Sequence, residues 1–218
     1  MRYLDGIVQY EKPDGYSIVD GTLFILEHFE FDSGNKGSNG SQQKREEAKD
    51  NRLFQQVEAS EGGTTFHNSL TIDYTIDNYR KNATLTFTRH YRKIDSYKNH
   101  LMIDGIISSE MESITCFFIE DTTLLGNTYN TDSWDVPTQP LFLPCCDFFL
   151  DLFEKSPKLD CAFCGSWANK SYYLWFIDRT MISSFRNKQI NTESLNLCNF
   201  TPHHVGVKMI IPDEKGNK

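Results

Sequence analysis

The segment KPDGYSIVDGTLFILEHFEFD, residues 12–32, constrains the fold of this chain more than any other stretch. Two apolar runs flank Asp20-Gly21, and an Asp-Gly pair in that setting is a strong signal for a two-residue β-hairpin turn. The runs therefore predict two antiparallel strands, residues 16–20 and 22–32. The second run is apolar on both faces near its centre, which predicts an inner strand of a covered sheet.

A carboxylate, Glu27, stands in the middle of the second predicted strand. Because side chains alternate along a strand, Glu27 shares a face with apolar residues such as Phe29. An ionised carboxylate in such surroundings is costly unless a partner compensates its charge. A hairpin that turns at Asp20-Gly21 also places Asp14 beside Glu27. Two carboxylates at one end of a hairpin form an oxygen-rich site suited to Mg²⁺ or Mn²⁺.

The other patterns in the chain predict a single α/β domain, residues 1–218, with a central mixed β-sheet and flanking helices. Residues 68–80 are rich in Thr and Ile and are compatible with helix or strand; helix is the interpretation adopted. Further strands are predicted at 6–11, 113–121, 159–165, 172–178 and 204–211, and further helices at 42–59, 80–100 and 143–157. Residues 33–43 predict a flexible polar loop, and residues 212–218 predict a frayed tail.

The composition and the N-terminal sequence limit the cellular location that we expect for the protein. The start, MRYLDGIVQYEKPDG, has neither the apolar core nor the small-residue cleavage site of a secretory signal. No apolar run reaches the roughly 18 residues that a membrane span needs. We therefore expect a cytoplasmic protein without membrane segments, whose six cysteines are reduced thiols. The net charge of −8 argues against coating of nucleic acid by the whole surface but allows a local basic site.

Residues 80–100 form a basic segment with interleaved aromatic residues inside this acidic chain. Phosphate backbones attract such cations, and aromatic rings can stack on unpaired bases. The alternative is that the aromatic residues, which recur at helical spacing, belong to the core and that the cations form a solvated face. The candidate nucleic-acid-binding residues are Arg80, Lys81, Arg89, Arg92 and Lys93.

Two further sets of residues suggest metal ligands. Cys161 and Cys164 have the spacing of one zinc knuckle, but a zinc site needs four converging ligands, and in a strand these two side chains point to opposite faces. Buried free thiols are the favoured interpretation. Glu120-Asp121 ends a predicted strand, where acidic residues can join a metal site or form an ordinary acidic loop.

The hairpin resembles the PD-(D/E)xK nuclease superfamily. In that family a Pro-Asp begins the second strand of a hairpin unit, and a Glu or Asp on the next strand is followed two residues later by Lys. Pro13-Asp14 and Glu27 match in residue type, spacing and strand context, and the order of helix and then strand up to residue 120 is similar. Phe29 occupies the lysine position. In some family members a neighbouring helix supplies the lysine, so the resemblance implies Lys44 or Lys49 as a substitute, with Gln43 a weaker one.

The resemblance implies a restriction-endonuclease-like core and a metal-dependent nuclease that acts in defence against foreign DNA or in repair. Asp14 and Glu27 would bind Mg²⁺ or Mn²⁺, Lys44 would orient the attacking water, and DNA is expected in preference to RNA. The alternative is a catalytically silent relative that binds a partner protein, as an inhibitor or immunity-type module. Phe29 favours this alternative, whereas Lys44 can restore the catalytic hypothesis. The oligomeric state stays open.

Overall fold

The computed structural model describes residues 4, 6–32, 36–37, 40–41, 52, 65–70, 76–123, 143–168, 171–188 and 205–210. The strands within these ranges are β1 (Val8–Gln9), β2 (Gly15–Val19), β3 (Thr22–Phe31), β4 (Lys36–Gly37), β5 (Gly40–Ser41), β6 (Thr65–Leu70), β7 (Ser113–Asp121), β8 (Cys161–Ala168), β9 (Ser171–Asp178) and β10 (Val205–Ile210). The α-helices are α1 (Ile76–Tyr91), α2 (Ile94–Ile103), α3 (Asp147–Glu154) and α4 (Ile182–Arg186), with a 3₁₀ turn at Leu143–Cys145.

A six-stranded mixed sheet in the order β1-β2-β3-β7-β8-β9 forms the centre of this α/β fold. Strands β1 to β3 are an antiparallel meander, β3, β7 and β8 run parallel, and β9 returns antiparallel to β8. Strand β3 lies between β2 and β7, and its residues Leu23, Phe24 and Ile25 are buried on both faces. The predicted α/β class, mixed sheet and inner strand are therefore confirmed.

The turn between β2 and β3 has the geometry that its sequence predicts. Asp20 and Gly21 have φ angles of 51° and 78°, so both central residues lie in the left-handed region. A type I′ turn requires positive φ at both positions, and Asp-Gly supplies it at low cost. The turn sets a register that runs from Val19 opposite Thr22 to Gly15 opposite Leu26.

The helices pack on the sheet face that carries the odd-numbered side chains of β3. Phe29 of β3, Phe87 of α1 and Phe149 of α3 belong to one buried cluster. The ring of Phe87 meets Phe117 of β7 and Phe149 edge-to-face, with centroids 5.5 Å and 6.1 Å apart. Burial of each such ring stabilises the fold by about 1.5–3 kcal/mol. This packing fixes α1 and α2 over the face on which Glu27 lies.

The opposite sheet face carries a second, smaller cluster of buried side chains. It consists of Phe24, Cys116, Cys161 and Phe163. Cys164, by contrast, belongs to the main core on the helical face. The two cysteines of the CxxC motif thus face opposite sides of β8, as the strand pattern predicts.

The structure corrects several predicted element boundaries. The helix predicted over 68–80 is wrong for residues 68–70, which belong to strand β6 and pair antiparallel with β10. Pairing with a distant strand outweighs a local preference that is weak for Thr- and Ile-rich segments. The single helix over 80–100 is also wrong: a turn at Arg92 and Lys93 separates α1 from α2.

Other predicted elements differ in extent or lie elsewhere. The helix predicted over 143–157 is shorter, since only Asp147–Glu154 is α-helical. The predicted loop 33–43 contains the short β4–β5 hairpin. Of the predicted helix 42–59, residue 52 is helical and the others lie outside the described residues, as does the tail 212–218. Among the described helices, none combines the length and the apolar character that a bilayer crossing requires.

Candidate functional site

The β2–β3 hairpin brings Asp14 to the neighbourhood of Glu27. The register ends with Gly15 opposite Leu26, and Asp14 and Glu27 are the residues that follow this last pair on the two segments. The charge of Asp14 acts on Tyr97 of α2, which packs on the helical side of the sheet. Asp14 is exposed, and its Oδ2 accepts a hydrogen bond of 2.7 Å from the backbone N–H of His28. The exposed carboxylate therefore lies at the open end of the hairpin beside the buried one.

Glu27 is compensated by side chains from two helices. Oε1 of Glu27 lies 2.7 Å from Nδ1 of His90 on α1. The hydroxyl of Tyr97 on α2 lies 3.5 Å from the backbone carbonyl of His90 and also interacts with this carboxylate. The side chains of Glu27 and His90 are 9% and 10% exposed. An ionised carboxylate can only accept, so the imidazole and the phenol both donate. These donors explain how an apolar strand accommodates a charge.

The environment keeps Glu27 ionised. Burial raises the pKa of Glu27, but the hydrogen bonds from His90 and Tyr97, together with the positive charges of His90 and Lys93, outweigh it and hold the pKa below its usual value. Burial and the hydrogen bond to Glu27 raise the pKa of Tyr97, and the charge of Asp14 contributes in the same direction. Tyr97 is therefore within electrostatic reach of both carboxylates.

Phe29, which occupies the expected lysine position, serves to hold His90. The two rings stack with centroids 4.4 Å apart and an interplanar angle of 17°, and Phe29 also meets Phe117 edge-to-face. The lysine whose charge acts on Glu27 is Lys93, in the turn between α1 and α2. Lys44, Lys49 and Gln43 lie outside the described residues, so the role of Lys44 stays a prediction.

The five predicted phosphate-binding residues fall into two groups along α1. Arg89, Arg92 and Lys93 are exposed at its C-terminal end, next to the helical turn that supplies His90. Arg89 and Arg92 line a shallow surface cavity there. Lys81 is exposed and Arg80 is half-buried, but at 1.5 Å rise per residue they lie about 15 Å away along the helix axis. Positive charge near the carboxylate pair thus comes from the first group.

The carboxylate pair has the donor chemistry of a magnesium or manganese site. Glu27 is ionised because its pKa is lowered, and Asp14 is exposed to incoming ligands. Mg²⁺ is typically held by one or two carboxylates together with waters and substrate phosphates. Asp14 and Glu27 offer carboxylate oxygens of the kind that this ion takes, and His90 and Tyr97 contact Glu27 from the two helices.

His90 and Tyr97 are the site residues that the sequence pattern misses. The pattern assigns His90 to a solvated basic segment and Tyr97 to the core. The signal for His90 is its position on the buried stripe of α1, where Tyr79, Ala83 and Phe87 precede it at helical spacing. A polar residue on such a stripe needs a buried partner, and Glu27, the carboxylate in the middle of an apolar strand, is that partner.

The described cysteines do not form a thiolate metal site. Five described cysteines are free thiols: Cys116, Cys145, Cys146, Cys161 and Cys164. Within the described ranges, no potential metal-binding cluster contains a cysteine. Cys198, His203 and His204, which follow the CxxC motif along the chain and are residue types that bind zinc, lie outside those ranges.

Comparisons of the chain with protein-family models, with curated proteins and with solved structures give no match.

Proposed function

We propose that this protein is a metal-dependent nuclease that hydrolyses phosphodiester bonds of nucleic acid, DNA in preference to RNA. The proposal is supported by the β2–β3 hairpin, whose last pair is Gly15 and Leu26, by the hydrogen bond of exposed Asp14 to the backbone of His28, next to Glu27, and by the charge of Lys93 on ionised Glu27. The order of hairpin, helices and parallel strand β7 agrees with the restriction-endonuclease-like core that the resemblance implies. Defence against foreign DNA or repair is the corresponding biological setting.

Each side chain of the site has a distinct part in this proposal. Asp14 and Glu27 would hold the ion, and a bound Mg²⁺ supplies polarisation of the phosphate and activation of the attacking water. His90 and Tyr97 keep Glu27 ionised and correctly oriented. Lys93 takes the place of the motif lysine and stabilises negative charge that develops on the phosphate. Arg89 and Arg92 bind the phosphate backbone alongside.

Incubation of the purified protein with labelled DNA and RNA, in Mg²⁺ or Mn²⁺, tests the proposal. The wild-type protein is expected to cut, and EDTA to stop cleavage. Asp14→Asn, an isosteric change at an exposed position, should lower the rate by about 100-fold or more, as removal of one electrostatic contribution to a transition state does. Lys93→Ala should have a comparable effect, whereas Lys155→Ala, a matched change of an exposed lysine that directly follows α3, should have none.

A second candidate function rests on the stack between Phe29 and His90. A buried ring in the lysine position, with a carboxylate already satisfied by protein donors, suits a silent relative that binds a partner protein. Absence of cleavage by the wild type with both ions and both polymers would favour this second function. Cleavage that persists unchanged in Asp14→Asn would contradict the assigned site.

A further inference from the structure

The face of β3 opposite Glu27 carries a second convergence of metal-ligating side chains. His28 and Glu30 point to this face by strand alternation, and the parallel register sets Glu30 directly opposite Glu120 of β7. Nε2 of His28 lies 2.8 Å from Oε2 of Glu120. One ligand atom from each of His28, Glu30 and Glu120 lies within 4.8 Å of the other two.

We propose that His28, Glu30 and Glu120 bind a divalent transition-metal ion, with Zn²⁺ the best match. One imidazole nitrogen and two carboxylate oxygens are ligands that zinc takes at about 2.0–2.2 Å, and imidazole favours zinc over magnesium. In a tetrahedral site such ligand atoms are about 3.4 Å apart. Glu30 is exposed, so a small side-chain rotation closes the set and leaves the fourth position to water or an exogenous ligand.

A tyrosine from a more distant strand orients one of these ligands. The hydroxyl of Tyr172 on β9 donates a hydrogen bond of 2.8 Å to Oε1 of Glu120, which leaves Oε2 directed at His28. Hydrogen bonds from outside the ligand set orient metal-binding carboxylates in this way. The ring of His28 is held from the side by Phe118, with centroids 5.0 Å apart.

Gly165 is the residue that allows Tyr172 to reach Glu120. Strand β8 lies between β7 and β9, and Gly165 is the β8 residue opposite Glu120. A Cβ atom at position 165 would lie 2.0 Å from the Tyr172 hydroxyl. The sheet thus carries a glycine at a point where a side chain would displace the tyrosine that orients Glu120. This observation is independent of the three ligands themselves.

A simple ion pair does not account for the whole arrangement. His28 and Glu120 could form an ion pair without Glu30. However, like charges directly opposite on neighbouring strands destabilise a sheet, and Glu30 and Glu120 are such a pair. Among the residues that the structure describes, no lysine or arginine forms a salt bridge with either of them. A bound cation would neutralise both carboxylates at once.

Titration of the chelator-stripped full chain with Zn²⁺, followed by calorimetry, tests this site. We expect one tightly bound equivalent that weakens at least 10-fold in Glu30→Gln, an isosteric change of an exposed side chain. Tyr172→Phe should weaken binding by about 10- to 100-fold, the usual effect of losing an orienting partner. Glu110→Gln, the same change at an exposed position away from the cluster, should bind as the wild type does.

The measurement separates this site from the proposed nuclease site. Asp14→Asn should retain Zn²⁺ binding, because its side chain belongs to the other ligand pair. Thermal unfolding of the metal-free variants verifies that each is folded. Absence of Zn²⁺ binding by the wild type, or equal binding by the wild type, Glu30→Gln and His28→Gln, overturns the proposal. Neither result bears on nuclease activity, which is measured separately.

Discussion

Consecutive residues of one strand, Glu27 and His28, face two different environments. On the helical side, Glu27 is almost fully buried and has donors from α1 and α2, with its pKa lowered. On the other side, His28 and Glu120 have side chains that are 37% and 27% exposed, and Glu30 adds a second carboxylate opposite Glu120. On the helical side, hydrogen-bond donors of the protein compensate the charge of the carboxylate. On the other side, the negative charge of two carboxylates exceeds what the protein donors there compensate.

The comparison shows that burial and ligand capacity are separate properties of a polar site. A buried charge must be compensated by the protein itself, so the groups around Glu27 contribute to stability as well as to the proposed chemistry. Half-exposed carboxylates are hydrated and can exchange water for an ion. Changes on the helical side should therefore alter folding strongly, and changes on the other side should alter it little. Five predictions, made for the metal-free protein in EDTA, sharpen this contrast.

The largest effect is expected for His90→Ala. This change leaves Glu27 buried without its principal donor, and removal of one partner from a buried ion pair costs about 3–5 kcal/mol. Urea denaturation measures the loss as a lower midpoint with an unchanged slope. Arg89→Ala, at the exposed position next to it, should change the free energy of unfolding by under about 0.5 kcal/mol. Equal losses for the two variants would contradict the importance of the pair.

The next effect concerns pH and a second buried carboxylate, Asp121. Burial raises its pKa from 3.8 to about 6, aided by the charge of Asp32 and opposed by hydrogen bonds from Thr123 and Tyr79. The folded state therefore favours the protonated acid, so its stability contribution is complete below pH 4 and is lost as pH rises through 6. Asp121→Asn should remove this loss. Relative to wild type, its free energy of unfolding should increase by about 3 kcal/mol between pH 4 and 7.

Glu27→Gln is the control of opposite sign in the same pH series. The pKa of Glu27 is lowered in the folded state, so its contribution is present above about pH 4.5 and is lost as pH falls through the folded pKa. Above about pH 4.5, the free energy of unfolding of the variant should be lower than that of the wild type. The two values should approach each other only at acid pH. If the free energy of unfolding changed with pH in the same way in both variants, the two carboxylates would not differ as described.

A smaller effect is expected for Tyr97→Phe. The change removes one hydroxyl that donates to ionised Glu27 and leaves the ring in place. Hydrogen bonds to charged groups contribute about 1.5–3 kcal/mol, and thermal or urea unfolding should show a loss of this size. Tyr91→Phe, whose hydroxyl lies 3.4 Å from the Lys158 backbone nitrogen, should cost less. If Tyr97→Phe left the free energy of unfolding unchanged, His90 alone would compensate the carboxylate.

The smallest change in stability is expected for Gly165→Ala on the other face. The added methyl group meets the end of the Tyr172 side chain, which is 38% exposed and can move aside, so the cost should stay under about 1 kcal/mol. The local effect is larger, because the hydrogen bond to Glu120 is lost. Burial, this bond and the charge of Glu120 raise the pKa of Tyr172, so its pKa should fall toward the ordinary value in an NMR titration. An unchanged Tyr172 pKa would show that the ring does not move.

The parts of the fold that the sequence predicts are those encoded locally. Asp20-Gly21 determines its own turn type, and the apolar runs around it determine strands β2 and β3. The partner of Glu27 could not be identified in this way, because His90 lies 63 positions away and its segment also reads as a basic surface. The cluster on the other face joins His28 to Glu120, 92 positions apart, through the parallel pairing of β3 with β7. Neither contact leaves a pattern in one segment alone.

The length of the β2–β3 turn has a consequence for how the two sites could be separated. Strand β3 is fixed on its far side by pairing with β7, so an extra residue at Asp20-Gly21 would displace β2 instead. A slip of one residue moves every side chain of the displaced strand to the other face. Asp14 would then leave Glu27, while the β3–β7 half of the sheet, with His28 and Glu120, would keep its geometry. An insertion series at this turn would thus uncouple the two ligand sets without replacing any ligand.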